Sequence, residues 1–269
     1  LYTSSATCKE MTDIPSLTAL RPERFDRPDI LKQLNAASRS LAELKGVAGS
    51  MPNQGILISS LGLQEAKDSS EIENIITTQD ELFRELAFPD AAASAATKEV
   101  ARYRQALRVG YEAVNLVKQG LLDVPVLYLS RHIVRTKGDY YRLLQDVRDS
   151  GNWEDWVRYL LLAVEHTAAD AIATIRAIKA QLMDYKHRIR ADYRFYSQDL
   201  INNLFSYPYT RIEFIERDLK VSRLTATKYL DRLVDGGFLV KRKIGRSNYY
   251  VNLPLYGILT GENPPDERA

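Results

Sequence analysis

Ser69 and Glu73 stand four residues apart in the stretch DSSEIEN, with Asn74 directly after, so that a hydroxyl and a carboxylate would share one face of a helix. On the spacing alone this reads as a local helix contact. Three histidines, His132, His166 and His187, are the other candidates for proton chemistry. His132 lies in an apolar helical stretch and reads as packed and hydrogen-bonded, whereas His166 and His187 read as solvated. No two of them have a carboxylate or thiol at the spacing a metal site needs. The single cysteine, Cys8, excludes an internal disulfide and reads as an incidental exposed thiol in a polar leader. The sequence contains no Gly-x-Gly and no Gly-Lys-Ser or Gly-Lys-Thr, so no glycine loop of those kinds is available to cradle a phosphate.

The elements that must position these groups are almost all helical. Leu31, Leu34, Ala37, Leu41 and Leu44 recur at three and four and predict an amphipathic helix over 29–45, with Pro52 and Gly55 around the next turn. Further helices are expected over 56–67, from beyond Glu73 to about Leu86, and as one long rod carrying Val100, Tyr103, Leu107, Tyr111, Val114, Val117 and Leu121. One or two more fall in 126–149. Asn152 then caps a pattern from Trp153 to about Ile189 with no Pro or Gly inside it. Residues 1–27 read as an extended arm. The charge-mixed end at Lys186–Arg194 marks the expected domain boundary, giving a helical domain over 28–192 and a second unit over 195–255.

That second unit changes character. Ser197, then Thr210 or Arg211, then Ser222 open three short helices, the last stopped by Gly236-Gly237. Phe238-Leu239-Val240 and Tyr249-Tyr250-Val251 are β-rich runs around Lys241–Asn248, with Gly245 placed to turn. Three helices followed by a hairpin predict a winged helix-turn-helix. Its third helix would place Ser222, Arg223, Thr225, Thr227 and Lys228 in a major groove, and Lys241, Arg242, Lys243 and Arg246 would meet phosphates at the groove edge. Over residues 216–250 nine Lys and Arg face four Asp and Glu, against a net +2 for the whole chain, so the basic excess is local. Double-stranded DNA is thus one candidate partner, and protein docking or homodimerisation through the same module is the other.

Composition bounds the rest. At 269 residues and 45% apolar content the chain can bury a substantial core. It shows no run long and apolar enough to cross a bilayer and no signal-peptide core, which predicts a soluble, cytoplasmic protein without a membrane partner. Its start at Leu1 rather than Met suggests a fragment.

Three blocks, in order, carry a family resemblance: PNQGILISSLGLQEAKDSSEIENII over 52–76, TKEVARYRQAL over 97–107 and QGLLDVPVLYLSRHIVRTKGDYYRLLQDVR over 119–148. The chain resembles Fic-family protein adenylyltransferases of the class whose inhibitory helix precedes the catalytic core, followed by a C-terminal winged helix. The fold this implies is mainly α. The resemblance makes Ser69, Glu73 and Asn74 the inhibitory signature, with Glu73 pairing an arginine of the catalytic loop that otherwise holds the ATP γ-phosphate. It also places Tyr140 and Tyr141 near the nucleotide, although their own pattern is that of an amphipathic helix with one ring in the core. The family transfers AMP from ATP, with Mg2+, to a Ser, Thr or Tyr hydroxyl of a target protein.

The family's catalytic loop, His-Pro-Phe, two residues, Gly-Asn-Gly-Arg and a second Arg, is absent from the sequence, since none of the three histidines is followed by Pro. It belongs between Val114 and Leu116, and Asn115 marks where its flanks are joined. The apolar rhythm runs smoothly across the join. A degenerate gene, an engineered or assembly-derived deletion and a dropped segment all account for it. No catalytic residue and no metal ligand can therefore be assigned, AMP transfer is expected to be silent, and apolar helix faces are expected to be left uncovered.

Overall fold

A computed structural model of the chain describes residues 20–87, 94–110, 115–244 and 247–262. Most of residues 1–27, including Cys8, together with Tyr111, Val114, Gly245 and Arg246, fall outside these. The described residues fold mainly into α-helix with one small sheet.

After a 3-10 turn at Pro22–Phe25, helix α1 (Pro28–Gly49) runs in the same direction as the longest helix, α8 (Trp153–Asp192). Polar contacts fasten the two along their length: Gln33 to Glu165 at 2.6 Å, Arg176 to Glu43 at 2.8 Å and Lys179 to Ser50 at 3.0 Å. Between them α1 buries Ile30, Ala37, Leu41, Leu44 and Ala48. Leu31 and Leu34, expected on the inward stripe, are instead nearly half exposed, because the face that meets α8 is centred a few residues round the helix. With 40 residues, α8 is about 60 Å long. Asn152 caps it as expected, its side chain accepting from the Asp155 backbone N–H.

Helix α2 (Gln54–Ile72) is central, burying Ile56, Leu57, Leu61, Leu63 and Ala66. It runs five residues further than the predicted 56–67, so Ser69 lies in its last turn. Helices α3 (Gln79–Ala87) and α4 (Ala95–Gly110) follow. The rod expected to run on to Leu121 stops short of it: α5 (Asn115–Lys118) ends at Lys118, and the chain turns at Gly120 with φ +71°. The step across the proposed join lies outside the described residues. Helices α6 (Ser130–Arg135) and α7 (Lys137–Ser150) complete this half.

The C-terminal part contains α9 (Gln198–Ser206), β1 (Tyr209–Thr210), α10 (Ile212–Leu219), α11 (Arg223–Asp235), β2 (Val240–Ile244), β3 (Ser247–Val251) and α12 (Leu253–Thr260). Ser197 and Ser222 cap α9 and α11 by accepting from Leu200 and Thr225 N–H groups, as their types predict. The sheet has order β1-β3-β2, antiparallel throughout, with Tyr209 paired to Val251 and Lys241 to Tyr250. One apolar core extends from Leu41 in α1 to Leu259 in α12. Tyr185, on α8, is buried against Phe205 and Phe238, and Asp80 of α3 accepts a hydrogen bond from the buried Tyr209 hydroxyl.

Gly236, which ends α11, shows why a side chain is excluded there. A Cβ would lie 2.1 Å from the Tyr193 hydroxyl and 3.1 Å from the Phe238 ring, both held by packing. Gly236→Ala is expected to destabilise by about 1–3 kcal/mol through overpacking; a denaturation midpoint equal to wild type would refute this.

Candidate functional site

Helix α2 ends in a turn built from the signature residues. Glu73 is the C-cap, Asn74 follows with φ +64°, and the Ile75 N–H reaches the Ser70 carbonyl at 3.0 Å while the Asn74 N–H reaches Glu71 at 3.1 Å. This pair of bonds closes the helix in a left-handed cap, a conformation that Gly and Asn adopt at least cost. The Asn at this position therefore has a backbone reason. Lys137 of α7 fastens the turn from outside, donating to Asn74 Oδ1 at 3.2 Å and to the Glu71 carbonyl at 3.5 Å. Ser69 is half-buried and engaged by its neighbours.

Glu73 itself is exposed, and among the described residues its carboxylate has no hydrogen-bond or ion-pair partner. It stands beside the carbonyl end of α2, where the helix dipole adds negative potential and favours an incoming cation. Ile76, three residues on, is 76% exposed. The turn thus offers an exposed, unpaired carboxylate with an apolar neighbour.

About two turns before Glu73 on α2 lies a second polar group that sequence reading missed. Glu65 Oε1 accepts from Ser130 Oγ at 2.5 Å, and its Oε2 is buried without a partner. Burial pushes this carboxyl up to about 7; the Ser130 hydrogen bond opposes the shift and the nearby Asp68 charge adds to it. Asp68 is paired with Arg131 at 3.2 Å and Lys67 at 3.8 Å. Glu65, Asp68 and Arg131 line a cavity of about 40 Å³ together with Tyr128, Thr167 and Asp170. The signal was invisible because Glu65 and Ser130 are 65 positions apart.

His132 is packed, as expected, with its ring 5.5 Å from Tyr159 and 5.4 Å from His166. Its Nε2, however, has no hydrogen-bond partner, contrary to expectation, because the facing surfaces are rings. Burial lowers its pKa, and the nearby His166 and Arg135 act the same way, so the imidazole is held neutral. Tyr140 is half-buried against Trp156, and Tyr141 is 48% exposed, so neither ring reaches the core. No group of three His, Cys, Asp or Glu that could hold a metal ion occurs among the described residues.

The cations expected to face DNA divide into held and free. Arg223 donates to Glu213 at 2.8 Å and approaches Glu216 at 3.6 Å, both on α10. Lys241 is bound to Asp231 at 2.8 Å, and Arg242 is also engaged. Ser222 and Thr225 share a hydroxyl contact at 3.0 Å, and Thr227 donates to the Arg223 carbonyl. Lys228 and Lys243 are exposed. Lys241, Arg242 and Lys243 lie in β2 rather than in a loop, since the strand begins at Val240 and pairs through to Ile244. Arg246 lies outside the described residues.

Two family models match the chain. The Fic/DOC family N-terminal model covers residues 31–112, and the C-terminal domain of SoFic-like protein adenylyltransferases covers 182–255. Together they take in more than half of the 269 residues. The chain belongs to the Fic family. In this Fic chain the first match contains α2 and the Glu73 turn, and the second begins at Leu182, inside α8. No helix of the Fic chain, among its described residues, is long and apolar enough to cross a membrane.

Proposed function

We propose that this is the frame of a protein adenylyltransferase, an enzyme that transfers AMP from ATP to a Ser, Thr or Tyr hydroxyl of a target protein, with the Ser69–Glu73 turn as its brake. The observation that carries the reading is Glu73: a partnerless carboxylate on a Lys137-fastened turn, inside the Fic/DOC N-terminal match of a chain whose C-terminal part matches a SoFic-like protein adenylyltransferase domain. A carboxylate in this position would occupy an arginine fork and add negative charge where a polyanion must bind. ATP and Mg2+ are what the family uses, but the loop that would cradle the phosphates is not in the sequence, so no residue here is assigned to hold them. The chain as given is accordingly silent in transfer. Incubated with labelled ATP, wild type and Glu73→Gly should both remain unlabelled and label no added protein; AMP appearing on either would sink the claim. Sequencing the gene across codons 100–130 separates the readings, since an insert encoding the His-Pro-Phe loop belongs to an enzyme.

A contiguous frame would favour a regulator acting through the C-terminal module. What supports this reading is the succession of α9, α10 and α11 with the β1-β3-β2 sheet, which agrees with the order expected of a winged helix. We place the units at 28–192 and 195–255, in a soluble cytoplasmic protein. Of the two uses weighed for the module, duplex DNA is disfavoured and docking or dimerisation favoured by the pairing of Arg223 and Lys241 with carboxylates and by the 67% exposure of Leu224 near the start of α11.

A further inference from the structure

We infer that the end of α8 and the outward side of α11 together form a binding face for single-stranded nucleic acid, separate from the groove-facing residues considered above except for Lys228. The stretch KHRIRADYRFY over 186–196 carries four Lys and Arg against one Asp. Lys186 and Arg190 are one helical turn apart and share a face of α8. Arg190 lies over the Tyr196 ring at 5.9 Å, and exposed Arg194 stands between Tyr193 and Phe195. Phe195 in turn stacks on Tyr229 of α11, with centroids 4.2 Å apart and planes within 10°. Tyr193 joins the same surface, its ring 5.1 Å from Phe195 and its hydroxyl donating to the Arg232 carbonyl at 3.3 Å. Exposed Lys228 and Arg232 flank Tyr229 on α11.

Lys186, Arg190, Arg194, Lys228 and Arg232 have no carboxylate partner among the described residues, in contrast with Arg223 and Lys241. The acid nearest them in α11, Asp231, is neutralised by Lys241. Free cations interleaved with half-buried aromatic rings are what a single strand needs, since phosphates take the charges and unpaired bases stack on the rings. A duplex keeps its bases internal and gains only the charges. The rings therefore decide between the two polyanions.

The test is fluorescence anisotropy with a labelled oligothymidine of about 20 nucleotides and a duplex of equal length, each titrated with the full chain. Oligothymidine should bind at least about fivefold tighter than the duplex and weaken roughly 50-fold between about 50 and 200 mM salt, as expected for about four neutralised phosphates. The double variant Arg190→Gln, Arg194→Gln, which alters only exposed side chains, should lower the logarithmic salt slope by about 1.4. Tyr229→Ala should weaken oligothymidine about tenfold or more and leave the slope unchanged, with its melting temperature measured alongside. Absence of oligothymidine binding, equal or tighter duplex binding, or an unchanged slope in the double arginine variant would each overturn the inference. None of these readouts depends on AMP transfer, so this face and the Glu73 brake can fail independently.

Discussion

Tyr185→Ala is expected to cost about 3–5 kcal/mol, lowering the melting midpoint by roughly 10 °C. The ring is 1% exposed and meets Phe205 and Phe238 edge-on at 5.4 and 5.1 Å, while its hydroxyl donates to the Phe238 carbonyl at 2.7 Å. Removing it opens a cavity where α8 meets the C-terminal elements and strips a buried carbonyl of its donor. Tyr185→Phe separates the two effects, because it keeps the ring and loses only the hydrogen bond, for about 1 kcal/mol. Burial pushes the Tyr185 hydroxyl up to about 12, so neither loss should vary with pH between 5 and 9. A denaturation curve for Tyr185→Ala within 1 kcal/mol of wild type would show that this junction carries little of the stability.

The second large effect concerns Glu65 and has the opposite sign. Its carboxyl titrates near 7 in the folded chain, against an ordinary value of 4.5. A raised carboxyl means that folding favours the neutral form. Its contribution to stability is complete below about pH 4.5 and is lost as pH rises through 7, where a charge must be buried. Glu65→Gln, neutral throughout, should therefore gain on wild type by about 2–3 kcal/mol between pH 5 and pH 8. The comparison uses the change in the difference, so a constant cost from placing an amide beside Ser130 cancels. Parallel pH profiles of the two proteins would refute the assignment.

Local features of the fold were legible wherever short-range chemistry sets them. Asn152, Ser197 and Ser222 each cap the helix their types predict, and Gly236 follows the last residue of α11. The signature Asn74 was recognisable by type, although only the backbone shows why: φ is positive there. Periodicity served less well in α1, where Leu31 and Leu34 follow the apolar rhythm yet sit at the rim of the face that meets α8. It also ran past the end of α5, since an apolar rhythm says nothing about where the backbone turns.

The candidate sites were legible only as lists of charges. Sequence counts Arg223 and Lys241 as two cations, but folding brings Glu213 and Asp231 against them from ten positions away. It counts Phe195 and Tyr229 as two aromatics, while tertiary packing makes them one stacked pair. Charge content is additive along a chain. Charge available to a partner is not.

The contact of Phe83 with Tyr209 and Tyr256 bears on how the chain is made. Phe83 is 1% exposed when folded, yet part of its cover is supplied from residues more than 120 positions later. A ribosome that has released only the first two hundred residues leaves α3 without a lid, and Asp80 without the tyrosine that donates to it. The amino-terminal half is therefore sealed late in synthesis, and a nascent chain stalled before Tyr209 presents an open apolar surface to chaperones and proteases.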